Sequence, residues 1–252
     1  MGMTTEEIYE LGLVRCLGFA PGMSTSTAIG TLREAVWTAA EWRGWRIGVI
    51  GADVWHCFEA MRHEDIAWAL EQIRTPQWLV HAILREYTRL EAKARVLGDP
   101  YGELFAVQRS GRTGGVETPG LLNILLQVCL RPVVLAWERE GLGFRAPLGE
   151  RWGSTESVEA PALTNVVWAD NVWLVPTSAE MGQRMLNDTT AAIEALGMTW
   201  KKKSLEVICG ANVLIPHRKV LPAHEGGGRG VRGAREGTTP AAGGRAGATR
   251  YQ

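Results

Sequence analysis

Two apolar runs, Leu163-Thr164-Asn165-Val166-Val167-Trp168 and Val172-Trp173-Leu174-Val175, flank a single polar turn, Ala169-Asp170-Asn171. The pattern predicts a β-hairpin whose tip carries Asp170. A hairpin tip can hold a carboxylate rigidly over a cleft, which is what metal-dependent phosphoryl transfer needs. Asp and Asn are also ordinary turn residues that tolerate positive φ and cap their own backbone, so the same residues read equally as a plain turn. A second carboxylate, Asp53, closes the short apolar run Trp45-Arg46-Ile47-Gly48-Val49-Ile50-Gly51-Ala52-Asp53, which predicts a buried strand. A helix N-cap after that strand is the competing reading of Asp53.

The elements that must position these two carboxylates follow from periodicity. Ile29, Leu32, Ala35, Val36, Ala39 and Ala40 have helical spacing over about 27–43. Further helices are predicted over 63–75, over 76–92 with Pro76 at the start, over 119–140 behind Pro119, and over 181–196 before Gly197. A polar strand pair is expected around 93–110 across the turn Gly98-Asp99-Pro100-Tyr101-Gly102, and a last strand over 205–208. This order predicts an α+β fold in which the two Asp-bearing strands lie side by side with helices covering one face. From about Ala223 to Gln252 the chain turns to Gly, Arg, Ala and Thr, a composition that reads as a disordered tail.

The chain of 252 residues is 46% hydrophobic and 21% charged, ordinary globular values. Its 27 basic and 27 acidic residues cancel, so net charge points to no nucleic-acid partner, although a local basic groove is compatible with it. Cys16, Cys57, Cys129 and Cys209 lie far apart with no CxxC pair, which argues against a structural zinc site and a disulfide scaffold. No signal peptide is evident, Glu6 breaks a myristoylation pattern, and no apolar run approaches the roughly 18 residues that span a bilayer. The expectation is an intracellular protein with no membrane partner, nucleus and cytoplasm not being distinguished.

Three blocks then line up in order. Asp53-Val54-Trp55-His56-Cys57-Phe58-Glu59 resembles the D-x-x-x-A-F-D block of reverse transcriptases. The stretch Arg109 to Asn123, containing Arg112-Thr113-Gly114 and Thr118-Pro119, resembles their R-G-V-R-Q-G-x-x-x-S-P-x-L-F-N block, and Trp168-Ala169-Asp170-Asn171 stands in the place of Y-A-D-D. A weaker fourth match, Gly197-Met198 through Lys203-Ser204, resembles G-L-x-x-x-x-x-K-S. Over about 25–210 the chain is similar to reverse transcriptases of the non-LTR retroelement type.

That resemblance implies a polymerase palm with partial fingers over 26–222, after an N-terminal segment 1–25 and before the tail 223–252. It implies an RNA-directed DNA polymerase that joins dNTPs to a DNA primer 3′-hydroxyl on an RNA template with two Mg²⁺ ions. Asp53 would bridge both ions, Asp170 would share at least one, and Asn171 would complete the catalytic set. Phe58 would crowd the sugar 2′ position, Arg112 and Thr113 would lie near the incoming nucleotide or template, Gly114 would let the backbone approach it, and Lys203 would sit near the pyrophosphate. A core Phe, a surface Arg and a solvated Lys201-Lys202-Lys203 run account for the same residues without function. The departures are Asn171 for the second Asp, Thr113 for Gln and Glu59 for Asp. Much of the fingers and a full thumb are expected to be missing, as in a truncated element. The alternative is therefore a non-catalytic remnant that binds nucleic acid or is only structural.

Overall fold

Alternation of Ile50, Ala52 and Val54 with Val49, Gly51 and Asp53 makes the run before Asp53 a central strand with two different faces. The computed structural model describes residues 3–4, 12, 14–41, 46–88, 91–93, 104–107, 109–111, 115–145, 162–209 and 249–251. In chain order the elements are α1 (Thr25–Glu41), β1 (Gly48–Asp53), α2 (Cys57–Ala60), α3 (His63–Gln72), α4 (Gln77–Thr88), β2 (Glu91–Lys93), β3 (Leu104–Ala106), α5 (Thr118–Arg139), β4 (Asn165–Trp168), β5 (Asn171–Leu174), α6 (Ala179–Ala195), β6 (Glu206–Cys209) and β7 (Thr249–Tyr251).

Five strands form one antiparallel sheet in the order β4-β5-β1-β6-β7. Ile50 stands opposite Leu174 and Val207, and these residues, with Val54, Val167 and Val172, enter one large core. Met185, Leu186 and Ile193 of α6 and Leu121, Leu122, Leu125 and Leu126 of α5 close that core from above. Helix α6 lies on β1 and β5, α5 on α6 and α3, and α4 on α3. A second small cluster of Ala35, Ala39, Ile47, Phe144 and Val175 ties α1 to the end of the sheet remote from Asp53. The result is the expected α+β palm-like arrangement, an antiparallel sheet with its main helical layer on one face.

Local boundaries follow sequence chemistry. The Ser178 hydroxyl accepts from the Met181 N–H and starts α6, and Gly197 at φ 69 ends it. The helix read over 76–92 ends at Thr88, because Glu91–Lys93 pairs with Leu104–Ala106 as a hairpin of its own; the turn at 98–102 lies outside the described residues. Contrary to the hydropathy reading, α5 is long and apolar enough to cross a membrane by length and composition. Its apolar side chains are instead core, ending in Trp137, which is 1% exposed and donates its indole N–H to Asp188 at 2.8 Å. Within the tail read as disordered, 249–251 pair antiparallel with β6, and 210–248 lie outside the described residues.

One further segment flanks the sheet. Residues 14–18 run beside the edge strand β4, with the Leu17 N–H donating to the Val167 carbonyl and the Val167 N–H to the Arg15 carbonyl, both at 2.8 Å. The Arg15 N–H also donates to the Asn165 side-chain oxygen at 3.0 Å. This strap covers an otherwise open edge.

Candidate functional site

The register of β1 on β5 sets Asp53 directly opposite Asn171. The Val54 N–H donates to the Asp170 carbonyl at 2.8 Å, one step beyond that pair. In an antiparallel ladder this places Asp53 and Asn171 at a non-hydrogen-bonded position, where Cα atoms approach to about 4.5 Å and side chains are nearest. The remaining backbone groups of Asp53 agree. Its N–H donates to the Ser204 hydroxyl at 2.9 Å and its carbonyl accepts from the Lys201 N–H at 2.8 Å, both away from β5. Alternation then turns Asp53 and Asn171 to the face opposite the helical core, together with Gly51 and Trp173. A Cβ on Gly51 would stand 2.8 Å from the Trp173 ring, so only glycine lets that indole lie against β1.

Asp170 sits at the tip of the two-residue β4–β5 turn. Ala169 precedes it at φ 55, the sign a tight hairpin turn requires of its first central residue and one that a Cβ makes costly. The Asn171 carboxamide donates to the Asp170 carboxylate at 3.2 Å, so the tip carboxyl leans back toward the Asp53–Asn171 pair. Asp53, Asp170 and Asn171 are thus gathered at one end of the sheet, the first from a position more than a hundred residues before the other two. The N-cap reading of Asp53 does not hold: α2 starts at Cys57 behind His56, which is left-handed at φ 45, and no side chain caps it.

Sequence reasoning missed two contributors. Residues 199–201 extend the sheet beside 53–55, with Val54 bridged to Trp200 and the Trp55 N–H donating to the Thr199 carbonyl at 2.7 Å. This places the Lys201 ammonium 3.3 Å from an Asp53 carboxylate oxygen. Lys203 is exposed in the following turn at φ 69. Three consecutive lysines are chemically alike, and only the non-local pairing selects the first. The second contributor is the strap: a Cβ on Gly18 would lie 2.4 Å from the Ala169 nitrogen, so the strap presses on the turn that carries Asp170.

Phe58 is half-buried, packs against the main core and meets Phe19 edge-on at 6.3 Å between ring centres. Its carbonyl accepts from the Gly111 N–H at 2.7 Å, which anchors the 109–111 segment beside α2. Arg112, Thr113 and Gly114 lie outside the described residues. Cys57, buried below the site, has its thiol pushed up to about 12 by desolvation first and by the Asp170 charge second.

Asp53, Asp170 and Asn171 offer oxygen acceptors, the donors a hard cation such as Mg²⁺ takes, usually with several waters retained. Among the described residues no group of three or more His, Cys, Asp or Glu is gathered as a metal site, and the third oxygen donor here belongs to an amide. The donor set therefore fits a cation on two carboxylates, with less negative charge than three would give.

No protein-family model matches this chain, and no curated protein does. Among solved structures, it is similar to a telomerase from Candida albicans in complex with a fragment of telomeric RNA, with a TM-score of 0.56 and 10% identity over 79% of this chain and 31% of that one. A Candida tropicalis telomerase gives 0.49 at 12% identity, over 82% and 40% of the respective chains. The chain spans about a third of the length of the first. Together with the sheet order and the face its helices cover, the first likeness shows that the chain has an α+β palm-like fold.

Proposed function

We propose that this palm is built for RNA-directed DNA synthesis of the reverse-transcriptase type, joining dNTPs to a primer 3′-hydroxyl, with turnover lowered by Asn171. One observation carries the reading: two strands distant in sequence bring Asp53 and Asn171 to a close cross-strand pair with Asp170 at the adjoining tip. Asp53 and Asp170 would hold Mg²⁺, and Asn171 would add a neutral oxygen. When bound, Mg²⁺ supplies Lewis-acid activation of the attacking oxygen and neutralises charge at the phosphate. The chain's own residues do the positioning. The Ser204 hydroxyl and the Lys201 N–H fix the Asp53 backbone on one side, and the Val54–Asp170 bond fixes the tip on the other. Phe58, braced by Phe19, would border the sugar, and the segment continuing from Gly111 through Arg112, Thr113 and Gly114 would approach the nucleotide and RNA template.

A second reading, a palm that binds nucleic acid without turnover, draws on two specific features. The hairpin offers one carboxylate where reverse transcriptases have two, and Asp53 already carries an ammonium partner. Primer extension on an RNA template with Mg²⁺ and dNTPs separates the two. Weak extension that Asp53→Ala abolishes and Asn171→Asp raises by about tenfold or more supports polymerisation. Extension untouched by Asp53→Ala overturns it, and silence of folded wild type and Asn171→Asp alike supports the second reading.

A further inference from the structure

Each carboxylate of the site has a donor supplied by the chain itself. Asp170 receives the Asn171 amide at 3.2 Å, and Asp53 receives the Lys201 ammonium at 3.3 Å. The backbone that carries the second contact is fixed beside Asp53. The Lys201 backbone is held to Asp53 by its own N–H at 2.8 Å, and the Lys201 carbonyl accepts from the Ser204 hydroxyl, the group that also takes the Asp53 N–H. The sheet therefore sets the root of the Lys201 side chain beside Asp53, within reach of its carboxylate. The Lys201 side chain remains half exposed, while that of Asp53 is 24% exposed, so the contact sits at the mouth of the site and can open without unpacking the core.

We propose that Lys201 is a resident counter-ion of Asp53, competing with the divalent cation for that carboxylate and so setting the cation concentration at which the site fills. This rests on the metal reading given above. A cation of charge two entering beside Asp53 meets the ammonium a few ångströms away, and the two positive charges repel. The ammonium must rotate out, losing one ion pair, before the carboxylate oxygen is free. At the protein surface, screened by salt, the two effects together are worth about a fourfold change in cation affinity.

The test is Mn²⁺ binding to the full chain, read from the free-ion electron paramagnetic resonance signal, in wild type, Lys201→Met, Lys201→Arg, Lys202→Met and Asp53→Asn. Met keeps the aliphatic stem, and cooperative melting monitors folding of every variant. Lys201→Met binds Mn²⁺ about fourfold more tightly, Lys201→Arg stays near wild type, and Lys202→Met moves by less than twofold. If wild type binds Mn²⁺ and Asp53→Asn abolishes binding, but Lys201→Met is unchanged or equals Lys202→Met, the counter-ion proposal is overturned and the metal reading stands. If no folded variant binds Mn²⁺, or Asp53→Asn binds as wild type does, both fall.

Discussion

Replacing Gly18 with Ala tests whether the N-terminal strap holds the turn that carries Asp170. The added Cβ would stand 2.4 Å from the Ala169 nitrogen and 3.2 Å from two Trp168 backbone atoms, where contact begins at about 3.4 Å. Backbone on both sides leaves no flexible side chain to yield, so the strap must retreat by about 1 Å. That retreat takes the bonds linking Leu17 and Arg15 to Val167, both 2.8 Å, past the limit of a useful hydrogen bond. Two such bonds at about 1 kcal/mol each, plus partial loss of packing at Val14 and Cys16, give a destabilisation of about 2–3 kcal/mol. Urea unfolding followed by far-ultraviolet circular dichroism measures it. Gly30→Ala is the companion: Gly30 is exposed within α1 with open space where its Cβ would go, so that change stabilises by about 0.5–1 kcal/mol. A Gly18→Ala protein within 0.5 kcal/mol of wild type would refute the strap's contact with the turn.

Asn171→Asp sets a third carboxylate beside Asp53 and Asp170. Without divalent ions its melting temperature falls by about 2–4 °C, and millimolar Mg²⁺ restores it; an unchanged melt in chelator contradicts the cross-strand register. Trp137→Phe removes an N–H that meets Asp188 at 2.8 Å. Because the Asp188 carboxylate is 37% exposed and rehydrates, the cost is about 1–2 kcal/mol, measured by the same urea titration, with a negligible change counting against the bond. Burial pushes the thiols of Cys57 and Cys129 up to about 12 and that of Cys16 higher still. A raised folded value means that the thiols favour the native state fully below their ordinary value of 9.0, and that this contribution is lost as pH rises from 9 toward 12. Alkylation at pH 8 read by peptide mass spectrometry should therefore spare all three until denaturant is added.

Legibility in the sequence tracked the range of the interaction concerned. The β4–β5 hairpin, the strand ending at Asp53, and helices α1, α3, α5 and α6 are written in local periodicity and punctuation such as Pro119 and Gly197, and each forms within a few residues of expectation. Features fixed by distant backbone were hidden. Nothing local marks Lys201 above Lys203, because the pairing of 199–201 with 53–55 chooses between them. The strap of 14–18 on β4 has too few residues to show a period, and the left-handed His56 ahead of α2 lacks the glycine that would announce it. The half-buried Phe58 packs on the core and also faces Phe19, so neither of its two readings is displaced by placement alone.

The central place of β1 also bears on how the chain is made. Among the described strands β1 has no sequential neighbour in the sheet: its first partner, β5, arrives 118 residues after Asp53 (171 − 53), and β6 later still. At roughly 5–20 residues per second a ribosome takes about 6–24 s to supply that partner. Through that interval Gly48–Asp53, an apolar segment, lacks both of its final strand partners and is open to pairing with other chains. The strand that carries the first carboxylate is therefore where nascent chains are most open to pairing with one another, and a charge at a nearby exposed position, such as Trp55→Glu, should raise soluble yield, whereas one at the buried Ile47 or Val54 would break the core.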